Sequence, residues 1–331
     1  GSKTSDVSAR PHDPAGNYSI SLDGSNDYVR VGTPGNDNDG VSSDIGSLLG
    51  SGSFSVNLWY YSSNNGGQRA IIDQRRNNNY GDGFSIDHRN NGKIYAAIAS
   101  PSNSTNSEVL FSSTSTISDG SWYHIALTWD GSNGKIYING SLETTQSISS
   151  RRSNTVGFVL GARFSGSHYF NNGKIDEVAI WNEAITAAEI TALYNSGDPL
   201  AASSNSGNYT SSANVKGYWR FGENTGTTTY DISGNGNNGT ISGATYTGQG
   251  ANGVLPTISS VSLASDNSTI AVTMSEAVYN TNGESGSLEA SDFSLSISGG
   301  TATMSSATPS SISASGNVYT LGISLSGTPD G

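Results

Sequence analysis

The sequence predicts an all-β fold with one short helix, on three observations. Short runs of alternating or continuous apolar residues recur along the chain, each of strand length. Turn-forming Asn/Gly/Ser stretches separate them, drawn from a composition with 42 Gly and only 13% charged residues. Pro is scarce at 8, and β-branched and aromatic residues are plentiful, unlike a disordered chain.

In chain order, Tyr18, Ile20 and Leu22 alternate, Asp23-Gly24-Ser25-Asn26 turns, and Tyr28–Val31 resumes as a second strand. Further strands are expected at Ser53–Ser62, Ala70–Gln74, Gly83–His88, Lys93–Ala99, Trp122–Trp129, Lys135–Asn139, Thr155–Gly161 and Lys174–Trp181, with turns such as Asn64–Gly67 and Asn90–Gly92 between them. Many short strands with frequent turns indicate a sandwich or barrel. The helix is expected after Thr186, where Thr186 and Glu189 form a capping box, Ile190, Leu193 and Tyr194 share a face, and Asn195-Ser196-Gly197 stops it. Residues 200–213 read as a linker. From Leu255 a second set of alternating runs begins, Ile258/Val261/Leu263 and Ile270/Val272/Met274, followed by Asp292–Ile297 and Val318–Leu325.

Charge excludes some partners. A formal net charge of −12 argues against nucleic acid and anionic membrane surfaces, which need basic patches. No Lys or Arg follows Arg220, whereas Glu223, Asp231, Asp266, Glu276, Glu284, Glu289, Asp292 and Asp330 do. Such acidity is either a solvated surface or a source of hard oxygen ligands for divalent cations. With no Cys there is neither disulfide stapling nor a thiol nucleophile. No apolar stretch reaches the ~18–20 residues of a membrane span, so no membrane insertion is expected.

Tyr18–Val31, Phe54–Tyr61, Ser121–Asp130, Gly134–Leu142 and Gly173–Tyr194 together, in this order, resemble the laminin-G and concanavalin-A-like lectin superfamily. The resemblance implies a laminin-G-like jelly-roll β-sandwich over residues 15–250. Residues 214–247, with Gly217-Tyr-Trp-Arg-Phe221 and Ser233-Gly-Asn-Gly-Asn-Asn-Gly-Thr240, look like the strand and loop that usually open such a domain. They either fold back to supply that strand in permuted order or remain from a repeat. Residues 255–331, with Ser275-Glu-Ala-Val-Tyr279 and Ser291-Asp-Phe-Ser-Leu295, resemble the immunoglobulin-like repeats of large bacterial surface proteins, with the last strand expected beyond Gly331.

The resemblance also implies a structural calcium held by Asp23, Asn26 and Asp176 with nearby loop carbonyls, against the alternative that Asp23 only makes an Asx-turn and Asp176 caps amides. A ligand site is expected on exposed Gly/Asn-rich loops, where basic and aromatic residues gather as Arg75, Arg76, Tyr80, Arg163, His168 and Tyr169. Its arginines suggest an anionic glycan, a uronate or sulfated sugar. Ordinary surface residues are the competing reading. Trp59, Trp122, Trp129 and Trp181 are assigned to the core, and His124 to a structural role on its strand.

No phosphate loop or nucleophile elbow is present, and no alternate-spaced carboxylates of glycosidase type occur. Asp176 and Glu177, being adjacent, are expected on opposite faces of their strand. The chain is therefore read as a monomeric, non-catalytic, calcium-binding module of a secreted or cell-surface protein whose partner is an extracellular glycan or cell-surface molecule. The rivals are a spacer without a ligand and a polysaccharide-degrading enzyme.

Overall fold

The structure is a computed structural model. It describes residues 18–32, 45–64, 66–75, 82–100, 108–152, 156–163, 166–248, 250–251, 258–274, 278, 287–296 and 303–326. The chain divides into two compact units, residues 1–254 and 255–331.

The first unit holds β1 (Ser19–Asp23), β2 (Tyr28–Val31), α1 (Ile45–Leu49), β3 (Phe54–Ser62), β4 (Arg69–Asp73), β5 (Phe84–His88), β6 (Ile94–Ala99), β7 (Glu108–Ser112), β8 (Trp122–Trp129), β9 (Asn133–Ile138), β10 (Ser141–Ser147), β11 (Phe158–Leu160), β12 (Asn172–Trp181), α2 (Ala187–Tyr194), β13 (Val215–Trp219), β14 (Thr228–Thr229), β15 (Gly239–Ser242) and β16 (Thr245–Thr247). The first sheet runs β10-β9-β8-β3-β12-β1-β16, and β13 also pairs with β12. The second runs β14-β15-β2-β11-β4-β5-β6-β7. All pairs between these strands are antiparallel. This is the jelly-roll sandwich of an all-β chain.

Alternation explains which side chains meet between the sheets. Phe54, Val56, Leu58 and Tyr60 of β3 point inward with Ile125 and Leu127 of β8, toward Phe84 and Ile86 of β5 and Ile94, Ala96 and Ile98 of β6. Trp219 and Phe221 join this core, Trp219 meeting Phe158 edge-on with ring centroids 5.3 Å apart. Each aromatic ring so enclosed removes about 150–250 Å² from water, an upper figure of about 4–6 kcal/mol at ~25 cal/mol/Å².

A third layer lies on the outer side of the first sheet. Its capping box forms: the Glu189 amide donates to Thr186 Oγ1 (3.3 Å) and the Thr186 amide to Glu189 Oε2 (2.9 Å). Asn195 ends α2 in the left-handed region at φ 44. Ile190 and Leu193 are buried against Trp181, Tyr209 and Tyr218. Residues 200–213 are not a loose linker. Tyr209 is enclosed, its hydroxyl donating to the Ala202 carbonyl (2.7 Å) and accepting from Trp181 Nε1 (3.0 Å). The helix α1 and the strands β7 and β10 are additions to the sequence expectation.

The second unit contains β17 (Ile258–Leu263), β18 (Thr269–Met274), β19 (Thr303–Met304), β20 (Ser311–Ser315), β21 (Val318–Gly322) and β22 (Leu325–Ser326), as a four-stranded sheet β17-β18-β21-β20 and a β19-β22 pair. Val272, Tyr319 and Leu321 centre its small core.

Candidate functional site

The calcium ligands expected from sequence do not converge. Asp23 lies opposite Asn172 in the β1–β12 ladder, whereas Asp176 stands four residues further along β12, about 13 Å away at ~3.3 Å per residue. Ligands of one calcium each lie within about 2.6 Å of it, so no single ion joins the two carboxylates. Asp23 Oδ1 instead accepts from the Ser25 amide (2.7 Å) in an Asx-turn, next to Asn26, which is exposed. Asp176 is 1% exposed and accepts from the Glu177 amide and the Ala251 amide, both at 2.8 Å. Among the described residues no group of three or more His, Asp or Glu is arranged to hold a metal.

Asp176 and Glu177 do not behave as opposite faces of a regular strand. A register shift between Asp176 and Ala179, with Glu177 at φ 49, inserts a bulge in β12. Burial, then the Glu177 charge beside it, pushes the Asp176 carboxyl well above its usual range. Glu177 accepts from the Tyr218 hydroxyl and from Arg220 Nε (2.8 Å). Both carboxylates are enclosed and serve as internal acceptors.

The loop residues fare differently. The outer face of the second sheet carries Asp73, Ser85 and Asp87, which alternate with inward Ile72, Phe84 and Ile86. Arg75 and Arg163 come to this face as members of one charge cluster. They are 3% and 4% exposed, not free on the surface as expected. Arg75 Nε meets Asp73 Oδ1 at 2.7 Å, and Arg75 Nη1 meets Glu108 Oε2 at 2.8 Å. Arg163 takes Asp87 with both arms, Nε to Oδ1 at 3.0 Å and Nη2 to Oδ2, the bidentate geometry specific to a guanidinium. Burial pulls the Arg75 guanidinium down, but Asp73, Asp87 and Glu108 outweigh it and hold the group above its ordinary value. Burial pushes Asp73 up, with Arg75 and Arg163 opposing. Arg76 and Tyr80 lie outside the described residues.

Beside this cluster one aromatic ring reaches solvent. Tyr169 is 40% exposed, at φ 54. A left-handed tyrosine costs about 1–3 kcal/mol and persists only where its surroundings fix it. Here the Ala70 amide donates to its carbonyl (2.9 Å), the Arg163 amide donates to the His168 carbonyl (2.8 Å), and the Arg163 guanidinium sits 4.8 Å from its ring centroid. His168 is exposed, its Nδ1 2.8 Å from Ser167 Oγ. Gly166, at φ +86, is required here: a Cβ would come within 2.6 Å of the Tyr28 ring. Arg30 lies over that same ring at 5.3 Å. His88 is a core residue, edge-on to Tyr60 at 5.8 Å, and burial lowers its pKa. Sequence reading found the basic and aromatic members of this face but not Asp73, Asp87 and Glu108. The alternation of Phe84-Ser-Ile-Asp was the available signal that Asp87 turns outward.

The four tryptophan assignments also divide. Trp59, Trp129 and Trp181 are buried as expected, Trp59 under Tyr194, whereas Trp122 is only half-buried. His124 is structural, its Nε2 on Asn57 Oδ1, with burial pushing it down to about 3.

Two antiparallel sheets around one core, with polar loops over an outer face, define a lectin-like jelly roll. A laminin-G-type family model, described as the concanavalin A-like lectin/glucanases superfamily, matches residues 15–191, and the chain belongs to that family. A segment of 79 residues is 37% identical to human adhesion G-protein coupled receptor D1, covering 22% of this chain and 9% of the receptor. The chain thus spans about a tenth of that relative's length. Among solved structures, a carbohydrate binding protein from Bacteroides ovatus aligns over 70% of this chain and 60% of its own, at 18% identity and a TM-score of 0.49. The SAP-like pentraxin of Limulus polyphemus covers 54% of this chain and 82% of its own, at 16% identity and a TM-score of 0.40.

Proposed function

We propose that the first unit is a non-catalytic glycan-binding module of a secreted or cell-surface protein, with Tyr169, backed by Arg163, as its contact patch. The observation that carries this is the exposed Tyr169 ring, fixed in a left-handed backbone and clamped by a guanidinium that is itself held by Asp87. A rigid aromatic with a polar rim offers the face on which a pyranose ring stacks, at little entropic cost. Membership in a family of lectins and glucanases supports the ligand class. Because Arg75 and Arg163 are neutralised by carboxylates, the ligand we favour is uncharged rather than a uronate or sulfated sugar. Residues 255–331 are read as an immunoglobulin-like spacer.

A glycan array probed with the wild type and Tyr169→Ala tests this reading. The wild type is expected to bind a neutral glycan, and the variant to lose at least about tenfold in affinity, the value of about 1.4 kcal/mol, at an unchanged melting temperature. Incubation with the bound glycan is expected to release no reducing ends. Binding untouched by the substitution would move the site elsewhere, reducing-end release would restore the glucanase reading, and an array without hits would leave the spacer.

A further inference from the structure

On the first sheet, at the other side of the sandwich from Tyr169, three side chains from adjacent strands stand in a row. Trp122 of β8 and Tyr61 of β3 are ladder partners, and Tyr61 is in turn the partner of Lys174 on β12. The Trp122 and Tyr61 rings meet at 5.6 Å with planes inclined by 60°, and Lys174 Nζ lies 4.4 Å from the Tyr61 ring centroid. All are half-buried. Two residues along the same face the outer layer has closed: Trp59 and His124 are ladder partners and both pack on Tyr194 of α2. The third layer therefore stops one row short, leaving two half-buried aromatic rings on central strands, with Lys174 over one of them.

The geometry points to a second carbohydrate subsite at Trp122, Tyr61 and Lys174, taking an uncharged glycan chain laid across the strands. Two interstrand spacings give the row a length of about 10 Å, the scale of a disaccharide. Aromatic faces suit the C–H side of a pyranose, and the rings of Trp122 and Tyr61 supply them. The flanks are Ser21, Ser63, Asn64 and Ser121, hydroxyl and amide groups rather than apolar ones. A protein partner needs about 800 Å² a side, which this row does not supply. An anionic chain is disfavoured by the net charge of −12. The inference rests on the reading of the unit as a glycan-binding module, and makes it bivalent, with one contact on each sheet.

Calorimetric titration of the full chain with cellohexaose, laminarihexaose and mannohexaose, with hexagalacturonate as the charged counterpart, tests it. For a neutral hexaose the expected stoichiometry is two per chain, falling to one in Trp122→Ala and retained in Trp122→Phe, which keeps a ring at the sheet surface. Tyr169→Ala is expected to leave the Trp122 contact, seen as a tryptophan fluorescence change on titration that Trp122→Phe loses. A single site that Trp122→Ala removes and Tyr169→Ala spares also supports the subsite, while overturning the Tyr169 reading. The subsite is refuted by a stoichiometry that Trp122→Ala does not change, by complete loss of binding in Tyr169→Ala, by tighter binding of hexagalacturonate, or by no binding of any neutral hexaose.

Discussion

Removing the Arg163 guanidinium would leave the Asp87 carboxylate, 0% exposed, without its bidentate partner. An uncompensated buried charge of this kind costs about 3–5 kcal/mol, far above the ~0–1 kcal/mol of a surface pair. Arg163→Ala is therefore expected to lower the free energy of unfolding by about that amount, read from urea midpoints at unchanged slope. A loss within the surface range would mean that water reaches Asp87 and that the cluster is a rim. This reverses the expectation that Arg163 stands on an exposed loop, since its side chain is buried. The basic and aromatic residues were visible in the sequence because they stand out in an acidic chain. Their partners were not, since Asp87 and Arg163 are 76 positions apart and no local pattern couples β5 to the loop after β11.

At the scale of elements, α2 shows how a local signal acquires a second use. Its capping box was legible from Thr186 and Glu189. The same Glu189 carboxylate also accepts from the Thr210 amide (3.2 Å), Thr210 Oγ1 (3.0 Å) and Ser211 Oγ (2.7 Å), so it ties the helix to the 200–213 segment that composition alone made a linker. Although burial opposes ionisation, the bonds from Ser211, Thr186 and Thr210 draw Glu189 down from 4.5 to about 2. A depressed carboxyl contributes stability that is present above its unfolded value and lost as pH falls through its folded one. Glu189→Gln is thus expected to be about 2–3 kcal/mol less stable than wild type at pH 7, with the gap narrowing between pH 4.5 and 2 as the wild-type carboxyl protonates. Melting temperatures of both proteins across that range check it, and a gap independent of pH would assign the effect to packing. Other elements gave no signal. Ser141–Ser147 is a polar, mostly exposed edge strand whose only instruction is its pairing with β9, and the β12 bulge depends on which residues oppose it on β3.

Across the whole first unit, the five blocks that resemble the laminin-G-like sandwich order most of the strands, because alternation alone decides which face of each is buried. Alternation does not decide register. Asp23 and Asp176 look adjacent when the first and last strands are simply set side by side, and the ladder separates them by four residues. The same limit applies to the aromatics: Trp219 and Phe221 enter the central core and Tyr218 the outer one, a division set by the pairing of β13 with β12. What the sandwich leaves on its outer face is a clamped, solvent-facing Tyr169, and the functional account stands on it. Hydroxyl-radical footprinting of the full chain, with and without a saturating neutral oligosaccharide, measures that directly. The account predicts protection of Tyr169, with the side chain of exposed Tyr230 unchanged as an internal reference. Full oxidation of Tyr169 under saturating ligand would contradict it.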